Sequence, residues 1–183
     1  SVLQTIGSPD GNDWYHLPVR EMDLSKESFP KKDFSRVPDY ESLWEKFENE
    51  FKFIQANTYR AFSETLLSLL LKYTSCIPAS TINFSDVSLY DHLKTTAALA
   101  ICLYDFQQSG STEKEPFLLI GADFSGIQSY IYQIVSKYAS KNLKGRSFYL
   151  RILSDAVVRY LLKELRLFQA NVIYNSGGGF YLL

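Results

Sequence analysis

The residues best suited to chemistry lie in two widely separated glycine-bearing stretches. The first, IGADFSGIQS from Ile120 to Ser129, sets one acid, Asp123, among the small residues Gly121, Ser125 and Gly126. The apolar run PFLLI, from Pro116 to Ile120, leads into it, and a helical pattern with Ile127, Ile131 and Ile134 leads out. A strand that ends in an acid and turns at once into a helix offers backbone N–H groups to a phosphate. Asp123 could share a cation with that phosphate. The second stretch, Ser176-Gly177-Gly178-Gly179, lets a ligand approach the backbone closely. Together they read as one nucleotide-handling half-site. On residue types alone, Ser125-Gly126 reads equally well as a helix N-cap and Gly177–Gly179 as a hairpin turn.

The half-site is expected to contain no catalytic residue of its own. A two-metal nucleotidyl transfer site needs carboxylates on both the strand end and the hairpin. Here the hairpin reads SGGGF, with no acid at its tip, and one carboxylate cannot build the site. A second candidate is Asp91-His92 in VSLYDHLKTTAALA. Adjacent His and Asp suit a metal-dependent phosphohydrolase, yet such sites need several His and Asp from different helices. The only other histidine is His16, in WYHLPV, read as structural or surface. His92 and Asp91 are therefore ligand candidates only for a metal whose other ligands lie outside this chain. Ser/His/Asp and Cys/His arrangements, Walker A and dinucleotide motifs are not found.

The elements that must position these residues fall into two kinds. Residues 1–40 read as an irregular connecting segment holding four of the six prolines, with brief strands over Tyr15–Val19 and Met22–Leu24. Residues 41–108 read as helical. Leu43, Phe47, Phe51 and Ile54 share one face after a start at Asp39 or Tyr40; Phe62, Leu66, Leu67, Leu69 and Leu70 mark a second helix. A third helix, capped by Ser85 or Asp86, is expected to bury Leu89, Leu93, Thr96, Ala97, Ala100, Ile101 and Tyr104. The polar run QQSGSTEKE (107–115) marks a boundary. Beyond it the expected order is strand Pro116–Ala122, helix Ser125–Tyr138, a basic loop with Gly145, and a long helix through Leu150 and Leu165. A strand Asn171–Tyr174 and a strand Gly179–Leu183 complete it. The fold class is α+β: a helical unit, then an incomplete ferredoxin-like or Palm-type β-α-α-β-β sheet over 116–183. An open sheet edge predicts dimerisation or aggregation in isolation.

Composition narrows the function classes. An apolar share of 46% and an aromatic share of 15% suit a globular core and argue against disorder. A net charge of −1 removes any global drive toward nucleic acid or membrane, leaving Lys137, Lys141, Lys144, Arg146 and Arg151 as one local basic patch. Cys76 and Cys102 have no metal or redox spacing and fit a reducing cytoplasm. No apolar run approaches the ~20 residues a membrane span requires. The absence of a starting Met suggests a processed or excised piece.

Four ordered blocks, VSLYDHLKTTAALA, GADFSGIQSYIY, LKGRSFYLRIL and NVIYNSGGGFYLL, resemble the large HD/Palm-domain subunit of type III (Csm-type) CRISPR effector complexes. The resemblance covers roughly residues 60–183, and the first forty residues fit that family's less regular connecting region. It implies the last helices of an HD nuclease domain that cuts single-stranded DNA, followed by most of a first Palm domain. With a second Palm domain, the first would condense ATP into cyclic oligoadenylates in antiviral defence.

The resemblance further implies that Asp123, Ser125, Gly126, Ser176, Gly177, Gly178 and Gly179 line an ATP pocket. Lys144 and Arg146 would touch phosphate or RNA, and Asp91 and His92 would sit at the HD domain's edge. Mg²⁺ would come with the carboxylates of the second Palm, a divalent transition metal with the complete HD domain. Implied partners are other effector subunits, guide and target RNA, and single-stranded DNA. The sequence departs from the family pattern in having GGGF where the second Palm carries GGDD, and in lacking the HD pair that names the nuclease. A piece inactive alone is the reading. The alternative is a non-catalytic docking module for other subunits and RNA.

Overall fold

The computed structural model describes residues 15, 17–32, 39–80, 87–133 and 139–183. The chain divides into two compact units, Ser1–Lys94 and Thr95–Leu183, with the division inside one helix. His16, Lys137, Ile134 and the expected caps Ser85 and Asp86 lie outside the described residues.

The first unit is built on α1 (Tyr40–Phe51) and α2 (Tyr59–Thr74). Asp39 caps α1 by accepting from Ser42 N–H, and Thr58 caps α2 by accepting from Ala61 N–H, each satisfying a donor that the helix leaves open. The four-residue spacing expected from sequence brings one face of α1 onto α2. Phe47 meets the edge of Tyr73 with ring centroids 5.8 Å apart, and Phe51 meets Phe62 at 6.4 Å. Such pairs are worth about 0.5–1.5 kcal/mol each beyond burial. A third helix, α3 (Leu89–Ser109), begins just after Ser88, whose hydroxyl accepts from Asp91 N–H at 3.0 Å.

The short strands expected in the connecting segment are not formed among the described residues. Val19 N–H donates to Cys76 carbonyl and Met22 N–H to Lys72 carbonyl, both at 2.8 Å. The segment thus satisfies carbonyls at the C-terminal end of α2, where a helix lacks internal donors. Side chains reinforce the attachment: Lys72 Nζ lies 3.0 Å from Glu21 and 2.5 Å from Glu50, which also accepts from the Tyr73 hydroxyl.

The second unit holds a three-stranded antiparallel sheet of order β1-β3-β2, with β1 Ile120–Asp123, β2 Val172–Ser176 and β3 Gly179–Leu182. Between β1 and β2 come a six-residue helix, α4 (Ile127–Tyr132), and a long helix, α5 (Ala139–Glu164). Alternation on β3 sends Phe180 and Leu182 inward, where they join Val172 and, from α5, Val158 and Leu162. Asn171, fully buried, ties the layers: its Nδ2 donates to Leu183 carbonyl at 2.8 Å and its Oδ1 accepts from Phe168 N–H. The α+β architecture expected from sequence is present.

Several element boundaries differ from expectation. β1 starts at Ile120 rather than Pro116, because β3 offers partners only from Gly179 to Leu182. β2 is shifted to Val172–Ser176, with a 3-10 turn over Gln169–Asn171 before it. The expected basic loop around Gly145 is helix, so Lys141, Lys144 and Arg146 belong to α5. One interior glycine costs a helix about 1 kcal/mol, which packing of a long helix overrides. On α3 the buried residue is Ala98, while Leu93 and Tyr104 are exposed. The inward face is thus turned away from the expected stripe, toward Ala98 and Cys102, which Asn171 Nδ2 approaches.

Candidate functional site

The two glycine stretches come together. β1 pairs with β3 so that Asp123 lies opposite Gly179, and Phe124 N–H donates to Gly178 carbonyl at 3.1 Å. Gly177 and Gly178 both have positive φ, +65° and +91°, as a tight two-residue hairpin with the strands' twist requires. Gly178 also needs its missing side chain, since a Cβ there would lie 2.1 Å from Ile127 Cδ1. The helix after β1 is capped by Gly126 in the left-handed conformation, without a side-chain bond, so Ser125 is not the cap that the dipeptide suggested. The Ser125 hydroxyl remains exposed beside the turn.

Behind the hairpin lies a cavity of about 210 Å³. Ile127 and Ile131 of α4 and Leu150 of α5 form its apolar wall; Ser147, Arg151, Ser154, Asn175 and the Ser176–Gly178 turn supply polar groups. Apolar walls with a few convergent polar groups characterise small-molecule sites, but drug-sized ligands occupy about 300–1,000 Å³, so this space suits part of a nucleotide. A closed set of hydrogen bonds fastens the hairpin to α5. Ser154 Oγ donates to Asn175 Oδ1 at 2.6 Å, Asn175 Nδ2 donates to Asp155 Oδ1 at 2.8 Å, and Arg151 bonds both Asp155 and the Asn175 carbonyl.

Asp123 does not line this cavity. Its neighbour Ala122 pairs with inward-facing Phe180, so strand alternation places Asp123 on the exposed face of the sheet. There its Oδ1 comes within 3.4 Å of where a Gly179 Cβ would be. The expected set therefore divides into Asp123 with Gly179 on the sheet face, and Ser176, Gly177 and Gly178 at the cavity mouth. Asp123 is also the only carboxylate in its row of the sheet, whose other members are Gly179 and Ser176. Among the described residues no three His, Cys, Asp or Glu side chains gather into a metal cluster.

Of the remaining expected residues, Arg146 and Asp91 have local partners. Arg146 donates to the Tyr130 carbonyl and lies over the Tyr130 ring at 5.2 Å, holding α4 to α5. Lys144 is exposed on α5. Asp91 accepts from the Ser88 hydroxyl at 2.8 Å, and one turn on, burial pushes the Lys94 ammonium below its usual range, opposed by Asp91. Sequence reading missed Ser147, Ser154, Asp155 and Asn175, and placed Arg151 only in the basic patch. The one available signal was Asn175-Ser176 directly before the glycines.

A family model described as "Csm1 subunit domain B" matches residues 116–183. The "CRISPR system single-strand-specific deoxyribonuclease Cas10/Csm1 (subtype III-A)" of Methanocaldococcus jannaschii is 36% identical over an alignment covering 92% of this chain and 25% of that protein. The protein of the same description from Thermococcus onnurineus is 37% identical, covering 91% of this chain and 22% of that protein. Among solved structures, Csm1 of T. onnurineus superposes with a TM-score of 0.75 at 34% identity, covering 92% of this chain and 23% of that one. A Csm1–Csm4 cassette in complex with AMPPNP superposes at 0.74 and 34% identity, over 93% and 23%. A cassette with one ATP superposes at 0.71 and 31%, over 93% and 25%. The chain spans about a quarter of the length of these relatives, and it belongs to the Cas10/Csm1 family of CRISPR large subunits.

Proposed function

We propose that this chain contributes the ATP-binding, non-metal half of a cyclic oligoadenylate synthase in a type III CRISPR effector large subunit, acting in antiviral defence. The observation that carries the reading is the junction of the two glycine stretches, Phe124 N–H on Gly178 carbonyl, at the mouth of a polar-edged cavity. On this reading the heterocycle enters the cavity. The triphosphate runs over Ser176–Gly179 toward Ser125, Gly126 and Asp123, with Lys144 near the anionic end. The catalytic carboxylates and Mg²⁺ belong to a second Palm domain, because this chain's row supplies only Asp123; Mg²⁺ there would stabilise the leaving pyrophosphate. Residues 1–40 form a connecting segment, 41–108 the C-terminal helices of an HD domain, and 116–183 the first Palm domain. Asp91 and His92 stand at the edge of the HD nuclease, with any transition metal held largely by ligands elsewhere. The solved cassettes named with AMPPNP and ATP support the nucleotide assignment, and their Csm4 supports an effector subunit as partner. Guide RNA, target RNA, single-stranded DNA and a cytoplasmic setting complete the reading; no described helix is long and apolar enough to cross a membrane.

A docking role has its own observation in favour. The outer face of α5 exposes the large apolar side chains Phe148, Ile152 and Tyr160. Titration with ATP separates the readings. Ser125→Ala or Gly178→Ala abolishes binding if the half-site is used. If the chain only docks, neither wild type nor variant binds ATP, and subunit assembly is unaffected by either change.

A further inference from the structure

Hydrogen-bond polarity at the cavity can be followed from one end to the other. Asp155 lies on α5 one turn after Arg151, and its carboxylate has only acceptors to offer. Arg151 Nε donates to Oδ2 at 3.2 Å, so Oδ1 is left for Asn175. Asn175 must then turn its NH₂ toward Asp155, where Nδ2 sits 2.8 Å from Oδ1. That choice leaves the amide oxygen facing Ser154, which donates its one hydroxyl hydrogen to it at 2.6 Å. Arg151 Nη1 also binds the Asn175 carbonyl at 2.8 Å, holding the strand so that the amide cannot slide out of register. Ser154 is 1% exposed and lines the cavity. With its hydrogen committed, the hydroxyl can meet a ligand only as an acceptor.

We propose that Asp155, acting through Asn175, is a specificity-determining positioning residue that fixes Ser154 as an acceptor. The cavity then selects a heterocycle presenting a donor edge, such as an exocyclic amino group, over one presenting a carbonyl at the same place. The inference rests on the nucleotide reading above. A site built to accept from an amino group penalises a carbonyl there, because two acceptors face each other without a proton between them. ATP and inosine 5′-triphosphate form the pair of probes: the amino group of one ring position is replaced by a carbonyl, and the adjacent ring nitrogen changes from an acceptor to an N–H donor.

The experiment measures dissociation constants for both nucleotides, on this chain and on a chain continuing through a second Palm domain. Wild type should bind ATP roughly tenfold or more tightly than inosine triphosphate. Asp155→Asn should turn its new amide oxygen to Arg151 and its NH₂ to Asn175. Asn175 then flips, Ser154 becomes a donor, and the preference falls to parity or reverses. Ser154→Ala, which removes the hydroxyl without touching the attachment of the hairpin by Arg151, should bring the ratio close to one. It keeps the test intact if Asp155→Asn fails to fold. Parallel weakening of both nucleotides in Asp155→Asn at an unchanged ratio would make the residue merely structural and overturn the proposal. So would equal wild-type affinity for the two probes, with nucleotide binding itself upheld. Binding of neither probe by either wild-type chain removes the nucleotide reading and this inference together.

Discussion

Replacing Gly178 by alanine tests the close approach of hairpin and helix quantitatively. Its φ of +91° is unfavourable for any residue with a Cβ, at about 1–2 kcal/mol for the left-handed region. The new methyl would also lie 2.1 Å from Ile127 Cδ1. Since that atom ends a flexible side chain, Ile127 can rotate away, at about 0.5–1.5 kcal/mol for leaving its rotamer well. The combined loss is about 1.5–3.5 kcal/mol, or about 6–28 °C in Tm for a domain of under 100 residues. Gly177 is the control: its φ is +65°, but a Cβ there meets nothing within 4 Å, so Gly177→Ala should lose only about 1–2 kcal/mol. Because Ile127 lines the cavity, Gly178→Ala should also weaken ATP binding more than Gly177→Ala does. Urea unfolding of the two variants side by side reads the difference. Equal losses, or a Gly178→Ala variant within 0.5 kcal/mol of wild type, would refute the argument that contact with Ile127 excludes a side chain.

Three further outcomes are expected. Asn171→Ala removes the side-chain bonds to the half-buried Phe168 N–H and Leu183 carbonyl and should cost about 1–3 kcal/mol by urea unfolding, without affecting the first unit. The hydrogen bonds from Lys72 and Tyr73 hold Glu50 below its ordinary value, and those from Ser25 and Ser28 hold Asp23 down to about 2. Carboxyls with depressed folded-state pKa contribute stability that is present above their ordinary pKa and lost as pH falls through the folded one. The first unit should therefore soften from about pH 4 down to about pH 2, and Glu50→Gln should flatten that dependence in an acid titration followed by circular dichroism. Lys144→Ala should keep Tm within about 2 °C while weakening ATP or RNA binding, whereas Arg146→Ala should lower Tm by releasing Tyr130.

Much of the fold was legible in sequence where local signals and tertiary packing agree. Asp39 or Tyr40 followed by Leu43, Phe47, Phe51 and Ile54 gave α1, Phe62 with Leu66, Leu67, Leu69 and Leu70 gave α2 without its Thr58 cap, and consecutive glycines between β-rich runs gave the hairpin. The failures have physical causes. Lys141 to Arg146 looked like a loop because Gly145 and the charges disfavour a helix locally, yet contacts of Arg146 with Tyr130 and of Ser154 with Asn175 favour one continuous helix. The buried stripe of α3 was misplaced because its packing partner is Asn171, a polar residue distant in sequence that needs small Ala98 beside it. Tyr15–Val19 looked strand-like, but Val19 N–H bonds the Cys76 carbonyl, just past the end of α2, rather than another strand. At the candidate site, the glycines and Asp123 announced themselves by residue type. Ser154, Asp155 and Asn175 acquire meaning only when the hairpin is laid on α5, a pairing that no spacing rule anticipates.

The most direct test of the central claim is calorimetric titration of this chain with ATP in the presence of Mg²⁺, repeated on a chain that continues through a second Palm domain. The account predicts saturable binding that is lost on Ser125→Ala or Gly178→Ala, with no nucleotide turnover by the shorter chain. Absence of binding to both chains at millimolar ATP would contradict it.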